Sequence, residues 1–206
     1  MFKGIFFGVL LAATPCWSAV STQEAARLGA DLTPMGGEQA GNADGTIPEW
    51  TGGIKSAADA GFPSYRSGEH HPDPFAADQP LFTITAANMG QYAAKLTEGH
   101  KKLLQTYPDY KLIVYPTHRS AAFPQRIYAA TKRIATTANL APGGNGVTGA
   151  AEGIPFPIPK QGVEVFWNHV LRFRAEALLR TYGQAPVTAG GSYTLVKLKE
   201  DTLIQY

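Results

Sequence analysis

One stretch leaves the chain little freedom in how it can be built: GAAEGIPFPIPKQGVEVFWNHVLRFR, residues 149–174. Within it Pro155, Pro157 and Pro159 alternate with Ile154, Phe156 and Ile158. Each proline fixes its own φ and pushes the residue before it toward extended geometry, so 154–159 must run as a stiff, polyproline-like strip without helix or ladder hydrogen bonds. An apolar strip of that kind has to lie on something. The residues after it recur apolar at helical spacing, at Val163, Phe166, Trp167, Val170 and Leu171, while Val165 and Phe173 add apolar surface off that stripe. The pattern predicts a helix covered on more than one side. Arg172 and Arg174 follow at its C-terminal end, where cations suit the macrodipole.

The N-terminus reads as an address. In MFKGIFFGVLLAATPCWSA one lysine precedes an apolar run and small residues follow, the layout of a secretory signal peptide over residues 1–18 with cleavage after Ser18. Pro15 before Cys16, and Ala13 where a leucine is wanted, make a poor lipidation site. Cys16 is the only cysteine in the sequence, so after cleavage neither disulfides nor cysteine metal sites remain. No second long apolar run follows, so no transmembrane segment is expected in the mature chain. A net charge of +2 without a long basic run gives no reason to expect nucleic acid.

Between these two landmarks, Ser21 with Glu24 three residues later predicts a capping box and a short helix that Gly29 stops. Residues 31–80 are crowded with glycine, proline and turn formers and show hardly any regular period, so a long loop is expected there, anchored by Trp50, Phe62, Tyr65 and Phe75. A helix over 86–107 with Thr85 as N-cap, broken near Gly99, a strand over 110–115 and a helix from Pro124 to about Ala138 complete the first part. Residues 139–153 read as a flexible glycine-rich loop. After the aromatic helix come strands over 177–188, 193–198 and 202–206. Helices first and antiparallel strands afterwards is the α+β pattern. Two or three strands cannot cover the apolar surface of three long helices, so the expectation is a single domain over 19–206 that is the N-terminal portion of a longer protein.

Several residues could carry chemistry. Gly144, Gly146 and Gly149 spell G-x-G-x-x-G, but prolines follow where a helix should open, which argues against a dinucleotide site. Asn42-Ala43-Asp44-Gly45 lacks the first and twelfth ligands of a calcium loop and reads as a turn. His70, His71 and Asp73 could ligate a metal, yet adjacent histidines on an extended chain point to opposite sides. No metal and no cofactor is expected. His169 is expected to be a buried, hydrogen-bonded imidazole, and His118-Arg119 either meets a carboxylate or phosphate or anchors a loop. No serine stands in a nucleophile elbow. The candidate binding set is therefore apolar: Ile154, Phe156, Ile158, Phe166, Trp167 and Val170 are either ordinary core or the lining of a cavity for an acyl chain.

The runs AARLGADLTPMGGEQAGNADGTIPEWTGG, DPFAADQPLFTITAANMGQYAAKLTEGHKKLL, YPTHRSAAFP, GGNGV, GIPFPIPKQGVEVFWNHVLRFR and QAPVTAGGSYTLVK resemble an exported Gram-negative family, the domain of unknown function 1329. Its members are often labelled outer-membrane lipoprotein-sorting proteins and are similar to the carriers LolA and LolB. The resemblance implies an incomplete half-barrel, helices packed on an antiparallel sheet, at about half the usual length. It also implies a periplasmic, non-enzymatic binding protein for lipid, lipoprotein acyl chains or other apolar cargo. An accessory subunit of an envelope transport complex is the second reading, with an envelope transporter as partner, and a periplasmic hydrolase the third. No catalytic residues come with the resemblance.

Overall fold

The structure, a computed structural model, describes residues 19–204; the expected signal peptide and residues 205–206 lie outside them. Two compact units emerge. Among the described residues, one comprises 19–37, Gln125–Leu178 and 201–204; the other comprises Glu38–Pro124 and Leu179–Glu200.

The first unit opens on α1 (Thr22–Ala26), capped as the sequence predicts: the Glu24 N–H donates to Ser21 Oγ at 3.1 Å and the Ser21 N–H donates to the Glu24 carboxylate at 2.9 Å. Those bonds, the backbone one first, hold the Glu24 carboxyl below the usual carboxylate range. Ala25 joins Val20, Leu28, Leu32 and Ala135 in a buried cluster, and Ile158 of the proline strip packs against it. The next helix of this unit, α3 (Gln125–Ile134), starts directly after Pro124 and buries Ile127, Tyr128, Ala130, Thr131 and Ile134.

Residues 154–159 form neither helix nor strand, as their prolines require. The few backbone groups the strip retains are buried and need partners. Thr131 Oγ1 accepts the Ile154 N–H at 3.3 Å, and the Asn168 amide pairs with Phe156 twice, accepting its N–H at 2.9 Å and donating to its carbonyl at 2.7 Å. The Glu164 carboxylate accepts the N–H groups of Lys160 at 2.5 Å and Gln161 at 3.3 Å, which caps the following helix, α4 (Gly162–Val170). Consequently α4 turns polar residues inward: Glu164 is fully buried, while Val165 and Phe166 stand 54% and 58% exposed. The helix is thus not covered on more than one side, because hydrogen-bond demand from the strip, rather than apolar periodicity, decides which face it presents. His169 is exposed too, contrary to the buried imidazole expected.

The glycine-rich loop is a small hairpin instead of a flexible connection. Strands β3 (Asn139–Leu140) and β4 (Val147–Thr148) pair antiparallel, and the Gly144 carbonyl at its tip accepts Trp167 Nε1–H at 2.9 Å.

In the second unit β1 (Phe82–Ile84) pairs antiparallel with β2 (Leu112–Val114), Thr83 facing Ile113. The helix expected over 86–107 is a 3-10 helix, Met89–Lys95, followed by α2 (Glu98–Thr106). Asn88 explains the late start: its side chain accepts the Thr85 N–H at 2.7 Å and donates to the Thr83 carbonyl at 2.9 Å, competing with helical bonding. The break falls at Leu96-Thr97, where the Thr97 hydroxyl caps α2 by accepting the His100 N–H at 3.2 Å, not at Gly99.

The long loop is irregular but closely tied to residues 118–121. Arg119 donates to the carbonyls of Glu38 (2.6 Å), Gln39 (3.0 Å), Pro48 (3.3 Å) and Ala40 (3.4 Å), and Trp50 Nε1–H donates to Ala121 O at 2.9 Å. His118 stacks on Phe75 at 3.8 Å between centroids and meets Asp78 at 2.6 Å. Of the two roles open to His118-Arg119, Arg119 takes the loop anchor, and His118 meets a carboxylate of the chain itself. Replacing Arg119 with lysine, a point charge that cannot fork across several carbonyls, should cost about 1–3 kcal/mol and open residues 38–54 to protease. Denaturant melts and a timed digest check both; an unchanged digest would show that the loop holds without the guanidinium.

The last strands, β5 (Ala177–Gln184) and β6 (Val196–Leu203), form a two-stranded hairpin; the distal part belongs to the second unit. Residues 199–201 continue the strand where a break was expected, since Arg180 binds Glu200 through Nε at 2.9 Å and Nη2 at 2.6 Å. The architecture is α+β, but the described strands lie in three separate two-stranded sheets with no closed barrel, not in one sheet carrying the helices.

Candidate functional site

The six apolar candidates sit in different surroundings. Phe156 is 3% exposed, and Ile154 and Ile158 are half-buried, Ile158 being packed on the α1 cluster. Phe166 is exposed and meets the half-buried Trp167 edge-on at 5.6 Å. Val170 lines an open cleft.

That cleft lies within the first unit, at the C-terminal end of α4. Val147 from β4 and the adjoining Ala150 and Ala151 make part of its wall; Val170, Leu171 and Ile204 make the rest, around a volume of about 340 Å³. A volume of that size is at the lower end for small-molecule sites. The Ile204 N–H donates to Glu176 O at 2.8 Å, which fixes one side of the cleft.

Arg172 and Arg174 complete the lining. Each is tethered to the helix end: Arg172 Nη1 donates to His169 O at 2.5 Å and Arg174 Nη2 donates to Val170 O at 2.8 Å. This is the macrodipole complement the sequence predicted. Ala175 follows with a φ of 94°, the sole positive value among the described non-glycine residues, and a backbone held there stores on the order of 1 kcal/mol or more of strain. Sequence reasoning found Val170 but assigned the arginines to the helix alone; what it missed is that the glycine-rich segment 139–153, read as a flexible loop, folds into a hairpin that brings Val147 beside them.

A second cleft, within the other unit, is bounded by Ile54, Phe62, Tyr65 and His71, the last two stacked at 5.4 Å. The Asp73 carboxylate accepts the Phe75 N–H at 2.8 Å, so it serves a local turn. Among the described residues no three His, Cys, Asp or Glu side chains gather as metal ligands, and no helix is long and apolar enough to cross a membrane.

Fold and site together define a mixed protein of short helices and small antiparallel sheets with an apolar, arginine-edged cleft. The chain belongs to the family described as "Protein of unknown function (DUF1329)", which matches residues 83–206. It is 49% identical over 191 residues to the uncharacterized protein PA3922 of Pseudomonas aeruginosa, a match covering 92% of this chain and 41% of that relative. The chain thus spans about two fifths of the length of the curated relative it matches. No solved structure matches it.

Proposed function

We propose that the protein is a periplasmic, non-enzymatic carrier that binds lipid, lipoprotein acyl chains or another apolar cargo, and that it is part of a half-barrel of the LolA and LolB type. The observation that carries this reading is the apolar cleft of about 340 Å³ at the end of α4. Further support comes from Leu179, Leu195 and Leu203, exposed on the β5–β6 hairpin, the kind of apolar sheet surface that a larger half-barrel covers. Burying an acyl chain contributes about 0.8 kcal/mol per methylene, so even a short chain gives useful affinity.

The test is titration of the purified protein with the neutral fluorophore N-phenyl-1-naphthylamine. Ala151→Trp, at an exposed position on the cleft wall, should fill the space and lower probe affinity by about tenfold or more while leaving the melting transition unchanged. A parent protein that binds no probe sinks the carrier reading. In that event the accessory-subunit reading leads, because Val165 and Phe166 present an exposed apolar face on α4 suited to a protein partner.

A further inference from the structure

We infer that the cleft at the end of α4 selects amphiphiles with an anionic head: one acyl chain along Val170, Leu171 and Ile204, its carboxylate or phosphate held by Arg172 and Arg174. The inference rests on the carrier reading of the same cleft.

A cleft made only of Val, Leu, Ile and Ala would take any apolar chain. Two guanidinium groups in the lining change that, since planar forked donors match carboxylate and phosphate oxygens and are wasted on an alcohol or a neutral ester. Their charge also has to overcome the helix. The C-terminus of α4 carries roughly half a negative charge, which alone would repel an anion, whereas the two arginines supply about two positive charges within reach of it. The local sum favours an anion.

Two nearby carboxylates are engaged by another arginine. Glu152 and Glu176, two acidic residues next to cleft-lining segments, both pair with Arg126, Glu176 at 2.7 Å, and Arg126 also lies over the Phe173 ring at 5.3 Å. Arg126 thus engages these two acids. The arginines are also held in place beforehand. The bond from Arg172 to His169 O uses one of five guanidinium N–H donors and restrains the side chain, so less rotamer freedom is lost when an anion arrives.

The experiment displaces N-phenyl-1-naphthylamine from the intact protein with dodecanoate, dodecyl phosphate, dodecanol and inorganic phosphate. Dodecanoate and dodecyl phosphate should bind about tenfold tighter than dodecanol, and inorganic phosphate should not displace the probe. Arg172→Gln with Arg174→Gln should bring the two anionic ligands down to the affinity of dodecanol and leave dodecanol itself unchanged. If the double variant does not fold, salt titration of the parent protein gives the same answer: rising salt should weaken dodecanoate and spare dodecanol. Equal binding of all three dodecyl compounds overturns the anionic selection while the carrier reading stands. Equal loss of dodecanol in the double variant also overturns it, since the arginines would then only shape the cleft. Failure of every dodecyl compound to bind removes the carrier reading itself.

Discussion

Phe156→Ala is expected to destabilise the protein by about 3–5 kcal/mol, and Phe166→Ala, ten residues along the chain, by no more than about 0.5 kcal/mol. The two rings look alike in the sequence, since both stand in the apolar stretch that organises the first unit. Their surroundings differ. Phe156 is 3% exposed with Pro155 fully buried beside it, and both of its backbone polar groups are bound by Asn168, so truncation leaves a cavity that the tethered strip cannot collapse into. Phe166 keeps more than half its surface in water and its removal opens no void. Denaturant melts of both variants measure the contrast. Comparable losses from the two substitutions would mean that Phe166 is packed in solution and that α4 is covered after all.

That contrast marks where the sequence was legible and where it was not. Proline spacing predicted an irregular strip over 154–159, and Ser21, Glu24 and Pro124 predicted the starts of α1 and α3, because each acts through local backbone geometry, whereas α1 ends at Ala26, ahead of the Gly29 expected to stop it. The inward face of α4 was not legible by counting apolar residues. A strip without ladder partners has to find donors and acceptors elsewhere, and Glu164 and Asn168, four residues apart on one helix face, supply them. The usable signal was that pair of polar residues one or two turns after a proline strip. Likewise β1 is three residues long, too short for any period, and Asn88 delayed a helix by bonding to Thr85 and Thr83.

The same physics organises the second unit. Residues 118–121 follow β2 without regular secondary structure and receive Trp50 on the Ala121 carbonyl, while Arg119 gathers the carbonyls of 38–40 and 48. The Ile54 N–H adds a bond to Ser120 O at 2.8 Å. A glycine-rich loop with no apolar period stays ordered because a short neighbouring segment satisfies its backbone. Sequence reading recognised Trp50 and Phe75 as anchors from their size alone, and it offered loop anchoring as one role for Arg119. It could not pair Arg119 with residues some eighty positions earlier, since carbonyl acceptors leave no mark in a sequence.

Within the cleft at the end of α4, the candidate set read from the sequence includes Val170, and the rest of the lining was not legible for a related reason. Val170 lies on the helix that the periodicity revealed, but its cleft is closed by Val147, Ala150 and Ala151 from a segment read as flexible. The hairpin there depends on two-residue strands, below the length at which alternation can be seen. Arg172 and Arg174 were correctly placed at a helix end. Their second role follows only once that end is seen to open into the cleft.

Gly36→Ala should be the most damaging small substitution in the first unit, costing about 3–4 kcal/mol, against about 1 kcal/mol for Gly29→Ala. Both glycines have positive φ, 89° and 82°, so both variants place an alanine in a conformation it adopts at a cost on the order of 1 kcal/mol. The difference is space. Nothing lies within 4 Å of a Cβ built on Gly29, whereas one built on Gly36 falls 1.7 Å from the Pro157 carbonyl oxygen and 2.6 Å from its carbon. Neither side can give way cheaply. The Gly36 turn is closed by its own N–H to Thr33 O at 2.8 Å and by the Thr33 N–H to Gly37 O at 2.7 Å, and Pro157 sits between Phe156 and Ile158, both held in the core. Moving the strip by more than an ångström would strip Phe156 of its Asn168 partner, so the alanine at 36 carries strain and lost packing together. Chemical denaturation of the two variants side by side decides the matter. Equal costs would show that only backbone strain is at work, and that the 33–37 turn and the proline strip do not press on one another as the structure has them.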